Sequence, residues 1–259
     1  MKAGVNRTIS SCIRQAFTGI PFVLAVVGLL LAFVLGGFSS LWTAVSSYKE
    51  KLLDYGMHFT VFQTACGSEA VHLLLPVFSA LPFTASFLDD VDSGFLKSYL
   101  PRAGRSHYVA GKLLAVGISG GAVCVAAIGI YYNILRLLLL PMEKCAAAGS
   151  AGYGKDVGRV CVLFFCAGML FSLLGMLFSI LTSSKYMAFA SPFVLEYVLI
   201  ILHERYLKKL YMIDPKEWLT PTESIWFMGQ FGVFLYMLML ILLILLILAL
   251  VMTRRLGEL

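Results

Sequence analysis

Residues 231–252 read FGVFLYMLMLILLILLILALVM, a run of 22 residues without a charged side chain. A helix needs about 20 apolar residues to cross the hydrocarbon core of a bilayer, so this stretch predicts a transmembrane helix. The whole chain agrees, because 60% of its 259 residues are hydrophobic, only 13% are charged and the mean hydropathy is +0.89. Soluble domains carry about 25% charged residues. The composition therefore excludes an ordinary soluble domain.

Five further stretches have the length and apolarity of a span, which predicts an all-α membrane protein with six transmembrane helices. The six predicted spans are 16–38, 70–88, 113–132, 160–183, 186–202 and 231–252. The fifth is the weakest, because Pro192 and Glu196 interrupt it. The chain holds no internal repeat and no Gly/Ser linker, so residues 16–259 are predicted to form a single six-span membrane domain.

The first 15 residues place apolar and basic side chains on opposite sides of a helix, which predicts a cytoplasmic interfacial (elbow) helix over residues 1–15. Six spans put both termini on one side of the membrane. With the termini inside, the inner segments hold ten Lys and Arg in 48 residues and the outer segments ten in 86. Basic residues concentrate near cytoplasmic span ends, so we expect a multi-pass plasma-membrane protein with both termini in the cytoplasm.

The remaining composition points to lipid rather than to nucleic acid or metal. The net charge of +6 is interpreted as topology and contact with anionic lipid, with no nucleic-acid partner. The six cysteines form neither a CxxC pair nor a Cys/His cluster, so no metal site is predicted. Cys66 and Cys145 both fall outside in this topology, where a disulfide between them is permitted. Aromatic residues in the outer segments 39–69 and 203–230 predict short outer-face helices.

No pattern indicates an enzyme. Residues 149–156 read GSAGYGKD and nearly fit the phosphate-binding pattern GxxxxGK[ST], but Asp156 stands where the pattern needs a hydroxyl. No HExxH, GxSxG or paired membrane carboxylate is present either. We therefore expect no catalytic residue and no cofactor bound by this chain.

Glu196 is the one acidic residue placed well within a predicted span. A charge at the centre of a bilayer costs at least about 2.5 kcal/mol, so such a residue is a candidate pathway site. A structural alternative stays open, in which Pro192 breaks the fifth span and Glu196 lies at an outer re-entrant turn.

Small residues on the third span predict a helix-packing surface. Gly117 and Gly121 form a GxxxG pattern, and Val125 and Gly129 continue it at steps of four. Small residues allow helix backbones to approach closely. The packing could lie within one protomer or between two.

The segment between the second and third spans reads DDVDSGFLKSYLPRAGRSHYVAGKLLA over residues 89–115. Acids and a serine before residue 94 predict the start of a short helix over residues 92–100, which Pro101 would end. This helix would expose four apolar or aromatic side chains beside Lys97, namely Phe95, Leu96, Tyr99 and Leu100. Two interpretations stay open, a docking surface for a soluble partner and a solvated interfacial loop.

The same segment resembles the permease subunits of ATP-binding cassette (ABC) exporters of the ABC-2 type. In that family an acid, one residue and Gly-Thr precede a short helix, followed by Pro, Arg and Gly-Lys at the next span. The matching positions are Asp92, Gly94, Pro101, Arg105 and the pair Gly111 and Lys112. Phe95 departs from the threonine, and Asp92 is shorter than the more common glutamate.

The resemblance implies a cytoplasmic coupling helix on which a separate ABC ATPase subunit, carrying ATP and Mg, would dock. The ATPase-coupling residues it implies are Asp92, Gly94, Phe95, Leu96, Lys97, Tyr99, Leu100 and Arg105. A second permease chain, identical or related, would complete the pathway. The implied cargo is an amphipathic or hydrophobic molecule such as an antimicrobial peptide, a drug or a lipid-like compound. The alternatives are a non-transporting immunity or scaffold protein and an ion-coupled carrier that uses Glu196.

Overall fold

The structure is a computed structural model that describes residues 2–48, 52–144, 153–222, 226 and 228–258, with the side chains of residues 2–9, 101–103 and 258 left out. Over these residues the protein is helical, and the only β-type pairing is one isolated bridge between Leu53 and Glu143. The prediction of an all-α protein is confirmed.

Eleven α-helices make up the described chain. They are α1 (Lys2–Thr18), α2 (Ile20–Tyr48), α3 (Met57–Cys66), α4 (Glu69–Ala80), α5 (Ser86–Asp92), α6 (Phe95–Ala103), α7 (Arg105–Leu139), α8 (Gly154–Thr182), α9 (Lys185–Arg205), α10 (Pro215–Leu219) and α11 (Gln230–Glu258). Among them α2, α7, α8, α9 and α11 are long and apolar enough to cross a membrane, and the pair α3 and α4, bent by 64°, is a sixth candidate. These helices mark a multi-pass membrane protein.

The helices run between two ends of one bundle. Helix α4 is antiparallel to α2, since Ser68 lies against Gly36 and Phe78 against Gly28. The chain then reaches the start of α7, where Lys112 donates a hydrogen bond to the backbone carbonyl of Ser86. We call this end of the bundle, which carries α1, α5 and α6, the amino-terminal face.

Both ends of the chain lie at the amino-terminal face. Lys185, at the start of α9, pairs with Asp89 at 2.7 Å, and Arg255 near the end of α11 donates to Ser183 between α8 and α9. Helix α1 packs along the first turns of α7 at the same end. A shared side for the two termini agrees with six crossings, and the cytoplasmic assignment of that side stays a prediction.

The opposite face carries the short helices α3 and α10, which lie in the two segments predicted to hold outer-face helices. The Glu143 carboxylate accepts hydrogen bonds from the backbone N–H groups of Gly56 and His58 at 3.1 and 2.6 Å, and contacts the His58 ring at 2.8 Å. A carboxylate at a helix start satisfies N–H groups that have no partner within the helix. Glu143 therefore fixes the start of α3 to the end of α7.

Two predicted span boundaries differ from the structure because of proline. The first span was expected to begin at Ala16, but α1 runs to Thr18 and α2 starts at Ile20, with Pro21 in its first turn. Proline is tolerated there because the first N–H groups of a helix lack partners. The second span was predicted over 70–88 with kinks at Pro76 and Pro82; α4 continues through Pro76 but stops at Ala80, and a turn containing Pro82 precedes α5.

Helices α7 and α8 form the centre of the bundle. A Cβ atom added to Gly120 would lie 2.7 Å from the carbonyl oxygen of Gly168, and one added to Gly168 would lie 2.6 Å from the oxygen of Gly120. The two backbones are therefore in direct contact. Gly117 and Gly121 also face α8, where they meet Met169 and Phe165. The expected packing surface lies within the protomer.

Gly129 does not continue that surface. A Cβ atom there would have no neighbour within 4 Å. The expectation that the small-residue stripe extends at steps of four to Gly129 is therefore wrong, because each step of four residues advances about 40° around a helix of about 3.6 residues per turn, which turns Gly129 away from the face of Gly117.

Candidate functional site

Two glycines set the limits of the short helix α6. Gly94 (φ +68°) separates α5 from α6, and Gly104 (φ +80°) ends α6 and donates its N–H to the carbonyl of Leu100. Both torsions lie in the region that favours glycine over other residues. The helix therefore runs to Ala103, past Pro101, and the predicted stop at Pro101 is wrong because the glycine turn at Gly104 ends it.

The two sides of α6 have different environments. Leu96 is buried, with 2% of its surface exposed, so its predicted exposure is wrong. Leu100, four residues on, packs beside it because residues four apart share a helix face. On the outer side, Phe95 is 44% exposed and stacks on Tyr99 with ring centroids 4.8 Å apart, and Lys97 is exposed. The exposed part of α6 is therefore Phe95, stacked on the half-buried Tyr99, together with the cation Lys97.

A buried ionic network holds α5 against α7. The Nζ atom of Lys112 lies 2.9 Å from Oδ2 of Asp90 and donates to the Ser86 carbonyl at 3.2 Å. The Tyr108 hydroxyl donates to the same Asp90 oxygen at 2.5 Å, and the Phe83 ring lies 4.5 Å from the ammonium. Lys112 is 2% exposed, so the network compensates a charge that is almost fully removed from solvent.

Asp89 and Asp92, the other two acids of α5, form an ionic bridge to Lys185 at the surface. Asp89 and Asp92 flank Lys185 of α9 at 2.7 and 2.9 Å, and all three side chains are well exposed. These acids were expected to start α6, but they belong to α5, with Asp89 in its first turn and Asp92 as its last residue. Negative charge is unfavourable at a helix C-terminus, so cations from neighbouring helices offset it. An exposed bridge of this kind contributes about 0–1 kcal/mol.

A polar cavity of about 320 Å³ lies behind Phe95, bounded by α1, α5, α6 and α7. Its wall includes Cys12 of α1 together with Asp90 and Lys112. Burial raises the pKa of the Cys12 thiol, while the Lys112 ammonium lowers it and the Asp90 carboxylate raises it. A thiol in this state is inert, so the cavity has no nucleophile from Cys12.

The structure thus brings most of the predicted coupling residues together on α6 and the turns around it. Arg105 follows as the exposed first residue of α7. Sequence reasoning missed Asp90 and Tyr108, the partners of Lys112. A lysine among apolar residues needs a buried acid, which is a signal that could have directed attention to the acids before it.

Glu196 lies near the middle of α9, which continues through Pro192 without a break. The expected re-entrant turn is therefore wrong, because packing against α4 and α8 supports the helix around the proline. Glu196 is 1% exposed, and neither carboxyl oxygen has a hydrogen-bond partner among the described residues. The nearby Asp214 adds a like charge.

The remaining predictions from the sequence concern metal binding, the cysteine pair and the GSAGYGKD stretch. Among the described residues, no group of three or more His, Cys, Asp or Glu could hold a metal ion. Residues 145–152 lie outside the described residues, so the pairing of Cys66 with Cys145 and the first half of the GSAGYGKD stretch are not covered. The last three residues of that stretch, 154–156, form the first turn of α8.

Comparison with known proteins gives no match to a protein family, to a curated protein or to a solved structure. The functional proposal therefore depends on the amino-terminal face, where α6 is anchored to the bundle and presents the exposed Phe95.

Proposed function

We propose that this chain is the membrane-spanning permease subunit of an ATP-driven ABC-2-type exporter. It moves an amphipathic or hydrophobic substrate outward with a separate ATPase subunit that binds ATP and Mg. The observation that supports this function is the exposed Phe95 of α6, stacked on the half-buried Tyr99. In this proposal the amino-terminal face is cytoplasmic.

The contacts of α6 would allow it to transmit movement. Leu96 anchors the helix in the core, and the Asp90–Lys112 pair joins the end of α5 to the start of α7. A force on Phe95 would therefore move α5, α6 and α7 together rather than bend a loop. Rigid-body movement of packed helices is a common form of conformational switching.

The pathway in this proposal lies between two permease chains. The described surface of α2 and α11 is covered with exposed apolar side chains, including Leu31, Leu35, Leu242 and Leu246. Moving a polar group through lipid is costly, so a partly apolar pathway favours amphipathic or hydrophobic cargo.

The aromatic pair should be required for docking of the ATPase. We expect a P-loop ATPase to copurify with the wild-type protein from native membranes in mild detergent, and its recovery to fall about tenfold with Phe95→Asp. Exposed aromatic anchors often contribute 2 kcal/mol or more to an interface, and an aspartate would leave a charge in it. Quantitative mass spectrometry of the purified sample measures the recovery.

The matched control is Tyr186→Asp, because Tyr186 is 85% exposed, aromatic and on the same face, but belongs to α9. It should retain the ATPase. Leu96 is unsuitable for this test because its substitution would disturb the core. Equal recovery with Phe95→Asp and the wild type, or no ATPase with the wild type, would contradict the proposal.

An ion-coupled carrier is the second candidate, favoured by the buried, unpartnered Glu196. The exporter proposal predicts that Glu196→Gln keeps ATP hydrolysis by the reconstituted complex within about twofold of wild type, because glutamine preserves the volume and removes only an unpaired acid. Measured hydrolysis in proteoliposomes checks this. A proton-dependent flux that needs no ATPase and that Glu196→Gln abolishes would favour the carrier.

A further inference from the structure

The opposite face contains a groove that the proposed function does not use. It lies between the first turns of α8 and α11 and has a volume of about 870 Å³. Both helices begin at this face, so depth along the groove corresponds to distance from the membrane surface toward its centre.

The entrance of the groove is basic. Lys155 and Arg159 lie one helical turn apart on α8 and both line the groove. Arg159 contacts Asp156 at 3.4 Å, and both side chains are well exposed, so this pair is weak and the local charge stays positive. Across the groove, the amide oxygen of Gln230 is buried and has no hydrogen-bond partner among the described residues. The entrance thus offers two cations and an unused polar group.

The deeper wall is apolar. Val162 follows Arg159 on α8, and Phe231 and Phe234 follow Gln230 on α11. Val162 and Phe231 have about half of their surface exposed. Gly158 lies between the two cations in sequence, and a Cβ atom there would meet nothing within 4 Å. The groove is therefore open, with a polar entrance and an apolar interior.

We propose that this groove binds an anionic phospholipid, whose phosphate contacts Lys155 and Arg159 and whose acyl chain lies along Val162, Phe231 and Phe234. The order of cationic and then apolar side chains along both helices is the order of headgroup and chain in a lipid. A cationic ligand is repelled at the entrance, and a free phosphate leaves the apolar wall unoccupied. This inference is independent of the proposed function.

Native mass spectrometry of the full-length protein in mixed micelles tests the assignment. We expect the wild-type protein to bind about ten times more phosphatidylglycerol than phosphatidylcholine. The two lipids differ in net charge, and Lys155 and Arg159 both attract the anionic headgroup. The Lys155→Gln, Arg159→Gln double variant should lose this preference. The matched control is Arg205→Gln with Lys208→Gln, which removes the same charge from the same face outside the groove and should retain it.

A second variant separates the groove from surface charge alone. Gly158→Leu keeps both cations but fills the open space, so bound phosphatidylglycerol should fall at least about fivefold while the thermal unfolding temperature stays near that of wild type. The proposal is overturned if Gly158→Leu retains the lipid, if the control pair loses the preference equally, or if inorganic phosphate at millimolar concentration displaces the lipid.

Discussion

Replacing Asp90 by alanine is expected to lower the free energy of unfolding by about 3–5 kcal/mol, the cost of leaving a buried charge without its partner. Lys112 is almost fully buried, and Asp90 lies 2.9 Å from its ammonium. The Ser86 carbonyl and the Phe83 ring remain after the substitution, but neither neutralises the positive charge. Unfolding in mixed detergent micelles, followed by tryptophan fluorescence, measures the change.

Asp92→Ala is the matched control. Asp92 lies two residues after Asp90 and carries the same carboxylate, but its partner is Lys185 in an exposed bridge. Its effect should stay within about 1 kcal/mol. Adding Lys112→Met to Asp90→Ala should recover much of the lost stability, since an apolar side chain of similar length needs no partner. Equal, small effects of the two aspartate substitutions would show that the ionic network does not hold α5 to α7.

Gly120→Ala is expected to destabilise the bundle by about 1–3 kcal/mol. The added methyl would lie 2.5 Å from the Cβ atom of Ser172 and 2.7 Å from the carbonyl oxygen of Gly168. Neither atom is the end of a flexible side chain, so α7 and α8 would have to separate. The same unfolding measurement in micelles detects the loss, and Gly168→Ala should behave in the same way.

Gly129→Ala provides the internal comparison on the same helix. Its added methyl has open space, so the substitution should be neutral or stabilise the helix by about 0.5–1 kcal/mol. If Gly120→Ala and Gly129→Ala have the same effect, the direct backbone contact between α7 and α8 does not contribute to stability.

At the candidate site, the local sequence pattern predicts the helix but not the burial of its side chains. The short helix between the second and third spans follows from the sequence, because a short amphipathic run is a local property. The exposure of Leu96 was mispredicted for a different reason. The four apolar side chains lie on one side of α6, and contacts with α1, α5 and α7 determine which of them is buried.

The sequence by itself determined the class of this protein and the approximate positions of its helices. A backbone in lipid must satisfy its own hydrogen bonds, so an uncharged stretch of sufficient length becomes a helix whatever surrounds it. Tertiary structure alone decided that Asp90 is the partner of Lys112, that Gly120 rather than Gly117 meets the α8 backbone at Gly168, and that Glu196 is buried in a continuous helix. A membrane helix is apolar on all sides, so its composition does not indicate which of its faces packs against the other helices. That face is determined by how the helices pack together.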